Sequence, residues 1–422
     1  MVAEPVQATV ETLSNLYNYA SHLVATQKDN IESSDYIEKI RGWNPISTSS
    51  KQPDSFPKIH KSSIFHSLGT NSTKKIIISG TLFTIGIGFT SYYGYKWWLN
   101  GQKPISTVQN KRRVPKLSNG ARSDVVLVVG SPTEPLTRLI ALDFEKRGFI
   151  VYLTILDEKD LKYVESNPIT DDINYLNLND SYSFEIQLAK FQNYLSIPVV
   201  PFQGAAPHTL KLVGVVFAPS LYFPLGPIEN VTVASWNKVL ERIQIPLKLF
   251  SSGLINLVRT QQSKIILISS HMTSSLDLPY HSAETLHQKS IESLFTSLTR
   301  EVAHQNISVT QVKLGNLNIT NQRVSPESRK SNIINSEIRS WSEEMRELYA
   351  TNFSKSQFKF NPMRTSRRGA NLRDLYHQLY DLIYPINQSQ RNPATVYCGT
   401  GARTYDWVSK VLPEYVITWL LS

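Results

Sequence analysis

From Asp124 onward, short apolar runs alternate with longer stretches of helical periodicity, and this alternation constrains the fold more than any other feature. The run VVLVV at 125–129 is apolar throughout, which is typical of a strand buried on both faces. The other predicted strands cover residues 149–155, 173–179, 213–218, 264–269 and 307–312. Helical stretches near 233–260 and 282–305 separate the later strands. This order predicts an α/β fold built on a doubly wound parallel sheet.

Periodicity and composition divide the 422 residues into six segments. In chain order we expect a helical and linker region (1–73), a transmembrane helix (74–99), a basic linker (100–123), the sheet domain (124–320), a polar insertion or lid (321–370) and a helical C-terminal extension packed on the domain (371–422). The insertion has a helical signal at 336–350.

The predicted membrane segment is a run of 20 residues without a charge, from Ile76 to Tyr95. As a helix it would be about 30 Å long, which matches one bilayer core. Lysines precede the run, and a lysine and two tryptophans follow it, as at membrane interfaces. The alternative is a buried helix or a strand pair of a soluble domain. The basic residues of 96–116 favour a cytosolic C-terminal side, where the linker could rest on anionic headgroups.

Charge and cysteine content limit the classes of partner and the cellular compartment that we expect for this chain. The net charge is +10, but the lysines and arginines are scattered, so we expect no nucleic-acid partner. The single cysteine, Cys398, fits a reducing compartment, and the spacing of Cys and His predicts no metal site. We therefore expect a single-pass protein of the endoplasmic reticulum with its large domain in the cytosol, or alternatively one of the mitochondrial outer membrane.

The loop VVGSPTEPLTR at 128–138 follows the first strand of the domain, where many α/β proteins bind a cofactor pyrophosphate. Gly130 is present, but Glu134 and Leu136 stand where further glycines would be expected. The loop instead has the pattern of a helix cap, with Ser131 or Thr133 as the N-cap. Either start places Glu134 in the first helical turn, where its carboxylate would stabilise the helix and repel a phosphate.

Three stretches of this domain resemble the short-chain dehydrogenase/reductase family, from about Val125 to Thr320. They are GPIENVTVASWNKVLE (226–241), KIILISSHMTS (264–274) and ETLHQKSIESLFTSLTREVAHQNISVTQVKLGNL (284–317). The tail PATVYCGTGARTYDWVSKVLPEYVITWLL is similar to the C-terminal extensions of members that act on lipids and steroids. Fungal membrane-anchored, oxidoreductase-like members of uncharacterised function are the most similar group. The resemblance implies a Rossmann-like sheet and NADP(H) as the cofactor. It also implies catalytic roles at Ser270 and Lys289.

The same resemblance shows where the family's machinery is altered. Thr285 occupies the position of the catalytic tyrosine, and an aliphatic hydroxyl is too weak an acid to replace a phenol. Tyr280 and His287 have the wrong helical spacing from Lys289 to substitute for it. The family's helix asparagine corresponds to Ile243. The cofactor-binding positions correspond to Gly130, Ser131, Asn177 and Ala218, with Glu134 arguing against a dinucleotide.

Two functions follow from this pattern. The first is a membrane-anchored, degenerate reductase fold that serves as a non-catalytic scaffold or lipid-binding module. The alternative is an atypical NADPH-dependent oxidoreductase that acts on a lipid carbonyl or hydroxyl at the membrane surface. A hydrophobic cleft beside residues 330–422 could hold an acyl chain in both cases. A homodimer through the helices near 233–260 and 282–305 is compatible with either.

Overall fold

The computed structural model describes residues 112–167, 173–180, 183–200, 203–318, 326–360, 369–385 and 392–421. The predicted N-terminal region and transmembrane segment lie outside these ranges. Within them, no helix is both long enough and apolar enough to cross a membrane. One compact unit begins at Arg112 and extends to the C-terminus.

Nine strands occur in the described part of the chain. They are β1 (Asp124–Val129), β2 (Ile150–Ile155), β3 (Ile173–Asn177), β4 (Lys211–Phe217), β5 (Lys264–Ser270), β6 (Ser308–Leu314), β7 (Leu317–Asn318), β8 (Ala370–Asn371) and β9 (Thr395–Cys398). Seven of them form one parallel sheet in the order β3-β2-β1-β4-β5-β6-β9, while β7 and β8 pair separately. The strand order reverses between β1 and β4, so the predicted doubly wound parallel sheet is confirmed.

Helices connect and cover the strands. In chain order they are α1 (Pro135–Arg147), α2 (Glu158–Ser166), α3 (Phe184–Ser196), α4 (Val233–Leu249), α5 (Ile255–Gln261), α6 (His271–Leu276), α7 (Ser282–Glu301), α8 (Pro326–Ser340), α9 (Glu343–Phe360), α10 (Leu372–Ile383), α11 (Ala402–Val411) and α12 (Glu414–Leu421). The helix expected near 233–260 is α4 and α5, joined by a π-helical turn at Phe250–Leu254. Gly253 has a φ of 100° within this turn.

The hydrophobic core lies on both faces of the sheet, as the apolar strands predict. In β1, Val125 and Leu127 face the layer of α3, α5 and α7, while Val126 and Val128 face the layer of α1 and α10. All four are fully buried. Because strand side chains alternate between faces, only a strand covered on both sides needs apolar residues at every position.

Helix α1 ends where the sequence predicts. Gly148 has a φ of 101°, and its N–H donates to the Glu145 carbonyl at 2.9 Å. The Phe149 N–H donates to the Phe144 carbonyl at 3.1 Å, which completes the capping pattern. Glycine adopts this left-handed conformation without steric cost, so Gly148 reverses the chain into β2.

The predicted polar insertion contains two helices, α8 and α9, rather than the one short helical signal at 336–350. They pack around Ile334, Trp341 and Phe353, which are almost fully buried. Ile333 and Leu348 are exposed, so apolar residues do not form a single face, and the sequence has little periodicity there from which to predict the helices.

Two segments at the ends of the domain are more closely integrated than the sequence indicates. The Arg112 guanidinium binds Asp381 through two contacts of 2.8 and 3.0 Å, and the Val114 N–H donates to the Arg147 carbonyl. Residues 112–123, expected in a basic linker, are therefore attached to the domain. The C-terminal extension supplies β9, the seventh strand of the sheet, in addition to helices.

Candidate functional site

The carboxyl ends of β1 and β4 flank the point where the strand order reverses, which is where doubly wound sheets bind ligands. Gly130 follows β1, and a Cβ atom there would lie 3.0 Å from both Ala218 and Thr137. The Gly130 N–H donates to Thr154 Oγ1 at 2.9 Å, and the Ala218 N–H donates to the Val129 carbonyl at 2.8 Å. These hydrogen bonds hold the loop after β1 in close contact with the ends of β2 and β4.

Ser131, expected at a cofactor site, is engaged by the protein itself. Its hydroxyl donates to the buried Asp160 carboxylate and lies 2.6 Å from Thr133 Oγ1. Asp160 also accepts a hydrogen bond from the Leu156 N–H at 3.1 Å. Burial raises the pKa of Asp160, against the opposing effect of these hydrogen bonds. A carboxyl group therefore lies beside the loop where a phosphate would need a cation or N–H donors.

Glu134, which follows β1, forms a hydrogen bond to the segment that follows β4. Helix α1 begins at Pro135, so Glu134 is the N-cap residue rather than a member of the first turn. The expected caps at Ser131 and Thr133 were therefore wrong by one or more positions. The Glu134 side chain does not cap its own helix; its Oε2 accepts a hydrogen bond from the Leu221 N–H at 3.3 Å, and only 4% of the residue is exposed.

Asn177, at the family's adenine-binding position, lies at the exposed end of β3. Its Oδ1 accepts a hydrogen bond from the Asn179 N–H at 3.0 Å, which forms a local turn. The side chain is on the surface, and its acceptor is already used within the loop.

Ser270 ends β5 and is fully buried. Its hydroxyl donates to Glu284 Oε1 at 3.1 Å, and Glu284 Oε2 lies 3.4 Å from His281 Nδ1. Gln357 Nε2 of α9 lies 3.0 Å from His281 Nε2. In a nucleophilic triad the imidazole contacts the serine and the carboxylate orients the imidazole. Here the carboxylate stands between them, which is the wrong order for activating the hydroxyl.

Lys289 lies in a different environment from Ser270. Its Nζ contacts the Asp277 carboxylate at 2.5 Å, and the lysine side chain is 52% exposed. Thr285, at the tyrosine position, has a buried Oγ1 with no hydrogen-bond partner in the described part of the chain. The two expected catalytic remnants are therefore separated between the interior and the surface.

Tyr280 and His287 both pack against aromatic rings. The Tyr280 ring meets Phe353 of α9 edge-on at 5.3 Å, and its backbone has a φ of 67°. The His287 ring lies 5.1 Å from Phe223, and burial, followed by Arg242, lowers its pKa to about 4. His287 is thus neutral at pH 7.

Helices α8 and α9 cover this region from above. A Cβ atom on Gly226, whose φ is 125°, would lie 3.2 Å from the Trp341 indole. The Gly226 N–H donates to the Tyr280 carbonyl at 3.0 Å. Gln357 contacts His281 and Phe353 contacts Tyr280, so α9 covers these two residues, while Trp341 lies beside Gly226.

A second polar cluster, which the sequence did not predict, lies at the ends of β5 and β6. His271 Nε2 lies 2.9 Å from Asp406 Oδ1, and His271 Nδ1 lies 3.2 Å from Glu292 Oε1. Lys313 Nζ donates to Asp406 at 2.9 Å, and the Tyr397 hydroxyl donates to Asp406 Oδ2 at 2.7 Å. We call these five residues the buried ion cluster.

The buried ion cluster is electrostatically balanced. Burial alone would raise the pKa of Asp406, but its bonds to His271, Lys410 and Lys313 hold that pKa far below the usual range. Burial alone would lower the pKa of His271, but the bonds to Asp406 and Glu292 raise it instead. Such mutual compensation is typical of a structural ion network. Within the described ranges, no group of three or more His, Cys, Asp or Glu side chains could hold a metal ion.

One sequence signal could have revealed both polar groups. Glu284, Gln288 and Glu292 recur every four residues along α7, and all three lie on its inward side. A polar row of this spacing on a helix that also carries an apolar row indicates buried hydrogen-bonding partners.

The model of a fungal family of unknown function (DUF1776) matches residues 121–418. An UPF0744 protein of Schizosaccharomyces pombe is 27% identical over 75% of this chain and 80% of its own length. The UPF0744 protein YSC83 of Saccharomyces cerevisiae is 25% identical over 56% of this chain and 52% of its own length.

Among solved structures, the chain is similar to a short-chain dehydrogenase from Streptomyces avermitilis, with 17% identity and a TM-score of 0.46 over 72% of this chain and 96% of that one. It is also similar to an alcohol dehydrogenase from Thermococcus sibiricus, with 10% identity and a TM-score of 0.43 over 66% and 96%. At these values the likeness carries no information about ligands or activity.

Proposed function

Since the chain belongs to the fungal family of unknown function DUF1776, we propose, from the chemistry of its own residues, that it is a non-catalytic scaffold with a reductase-type fold. In this proposal its own side chains fill the positions at which a reductase of this fold binds cofactor and substrate. The chain attaches to a membrane through residues 76–95 and holds its sheet domain in the cytosol.

The Glu134–Leu221 hydrogen bond carries the proposal. A dinucleotide pyrophosphate needs unpaired N–H groups and a positive potential at the start of the helix after β1. Here a nearly buried carboxylate spans that position and uses the Leu221 N–H. The buried Asp160 carboxyl adds a second acidic group on the other side of the loop. Repulsion between the Glu134 carboxylate and a phosphate would be strengthened by the low dielectric constant of this buried position.

The catalytic positions support the same conclusion. Proton transfer requires a donor whose pKa suits the reaction, within hydrogen-bonding reach of the reacting atom. Thr285 supplies no phenol, and Lys289 pairs with Asp277 at the surface. Tyr280, the phenol nearest in sequence, packs on Phe353 under the cover of α9. This cover favours a scaffold over a module that encloses a lipid.

Calorimetric titration of the full chain with NADPH, NADP and NAD tests the proposal. We expect no binding heat at millimolar nucleotide. Glu134→Gln is the matched variant, because it keeps an acceptor for the Leu221 N–H and removes the charge, whereas Glu134→Gly restores the family's glycine. Micromolar binding by the unaltered chain would overturn the scaffold function and favour NADPH-dependent reduction of a lipid carbonyl.

The membrane attachment and the homodimer are tested separately. Resistance of the full chain to alkaline extraction from membranes, with protease access to the sheet domain, is expected for a single-pass protein with a cytosolic domain. Fractionation distinguishes endoplasmic reticulum from the mitochondrial outer membrane.

Leu240, Leu247 and Leu286 expose apolar side chains on α4 and α7, which supports a dimer through these helices. Light scattering of the chain in detergent measures its oligomeric state.

A further inference from the structure

Three segments meet at the amino edge of the sheet, where the parallel strands begin. The Leu117 N–H donates to the Ala121 carbonyl at 3.1 Å, which closes a turn directly before Arg122. The Arg122 carbonyl lies 3.1 Å from His208 Nε2, and His208 pairs with Val199 through two backbone hydrogen bonds. Residues 113–122, 197–200 and 208–211 therefore form one continuous surface, which we call the amino-edge surface.

The amino-edge surface exposes apolar side chains that the core does not use. Ile197 is 55% exposed and Val200 is 56% exposed, although both follow directly from α3. Val199 and Leu117 are also exposed. Single exposed apolar residues are ordinary on proteins, but several on one surface mark a site of interaction.

The same surface is positively charged. Arg113, Lys116 and Lys211 are exposed, while Arg122 is partly neutralised by Glu145 at 3.7 Å. Lys211 begins β4 beside Lys264 of β5, and burial together with the Lys211 charge lowers the pKa of Lys264. This repulsion acts between two cations at the same edge of the sheet, where Asp124 is the register partner of Lys211. An anionic partner would relieve it.

The chain also enters the domain at this edge. Arg112 is bound to Asp381 near the end of α10, and Val114 is bound to Arg147 at the end of α1, next to the start of β2. Only 16 residues separate Arg112 from Tyr95, the end of the uncharged run. Fully extended, they reach at most about 55 Å, so Arg112 lies within that distance of the end of the proposed membrane segment.

We propose that the amino-edge surface docks on an anionic lipid bilayer, with its apolar side chains entering the headgroup region and its lysines and arginines contacting lipid phosphates. Exposed apolar residues flanked by cations are the combination that binds such interfaces. This docking rests on the proposed membrane attachment and adds an orientation to it. The carboxyl edge of the sheet, with the buried Ser270 and Glu134, then faces away from the bilayer.

The test uses the full chain in phosphatidylcholine vesicles with roughly 30% phosphatidylserine and a headgroup-linked fluorescence quencher. A fluorophore is attached to Val200→Cys, or, as the matched control, to Ile228→Cys, which lies after β4 at the opposite edge and is at least as exposed, with 66% against 56%. The natural Cys398 is buried and is not labelled. We expect at least about threefold more quenching at position 200, and loss of this difference in high salt.

Charge variants show whether anionic lipid is the partner. Lys116→Glu with Lys211→Glu should abolish the difference in quenching, whereas Lys238→Glu, an exposed lysine on α4, should retain it. Equal quenching at positions 200 and 228 in a chain that floats with the vesicles would overturn the docking and leave the membrane attachment standing. A chain that does not float would overturn both. Persistent quenching in the double variant would overturn the assignment to anionic lipid.

Discussion

His271 and Asp406 stand 135 positions apart in the chain and meet at 2.9 Å between Nε2 and Oδ1. Through this contact the end of β5 is joined to α11 in the C-terminal extension. Lys313 and Tyr397 bind the same carboxylate from β6 and β9. Besides the backbone pairing of β9 with β6, one buried acidic side chain therefore links the extension to the ends of two sheet strands.

Replacing that carboxylate should destabilise the domain. Asp406→Asn leaves Lys313 and His271 buried without their counter-charge, so we expect a loss of about 3–5 kcal/mol in the free energy of unfolding. Urea denaturation followed by circular dichroism measures it. Lys410→Ala is the control: its amine also binds Asp406, but its side chain is 67% exposed, so the loss should be at most about 1 kcal/mol. Equal effects would contradict a central role for Asp406.

The same cluster predicts a dependence on alkaline pH. Burial opposes protonation of His271, but the bonds to Asp406 and Glu292 dominate and raise its pKa. A group whose pKa is higher in the folded state stabilises the fold below its unfolded pKa, and this contribution disappears as the pH rises through the folded pKa. We expect the natural chain to have a larger free energy of unfolding than His271→Gln at lower pH. This difference should shrink above about pH 6.5.

That comparison has to be made above pH 6, because the pKa of Glu292 is shifted in the opposite direction to that of His271. Burial would raise its pKa, but the His271 and Lys313 contacts lower it, so its contribution is lost on acidification. A difference between natural chain and variant that grows with pH would contradict the assignment of a charged His271.

Trp341 should hold α8 and α9 on the domain. Trp341→Ala removes an almost fully buried indole, with an expected loss of about 3–5 kcal/mol and faster proteolysis within 326–360. Trp407→Ala is the control, because it is the same substitution at a tryptophan that is 57% exposed. Its free energy of unfolding should change by no more than about 0.5 kcal/mol. Unchanged proteolysis in Trp341→Ala would show that the helices are held by other contacts.

Cys398 should be inert in the folded protein. It is buried at the end of β9, and burial raises the pKa of its thiol to about 12. Because the thiolate is the reactive form, a disulfide reagent at pH 8 should modify it only after urea unfolds the chain. Rapid reaction in the native state would mean that β9 opens without global unfolding.

The sequence anticipated those parts of the fold that depend on neighbouring residues. Each strand from 125 to 312 was located within about two residues, and Gly148 ends α1 as its position predicts. Apolar runs and a left-handed glycine are local signals, so one sequence suffices to interpret them. The loss of glycine at Glu134 was visible for the same reason.

The partners of the polar groups, in contrast, depend on how remote segments pack. Glu134 meets Leu221 across 87 positions, His281 meets Gln357 across 76, and His271 meets Asp406 across 135. The local sequence predicts an α/β sheet and a loop after β1 that keeps Gly130 but has Glu134 and Leu136 in place of further glycines. It could not determine what fills the loop or which charges are buried, because a hydrogen bond or ion pair depends on distances that arise only when remote segments pack together.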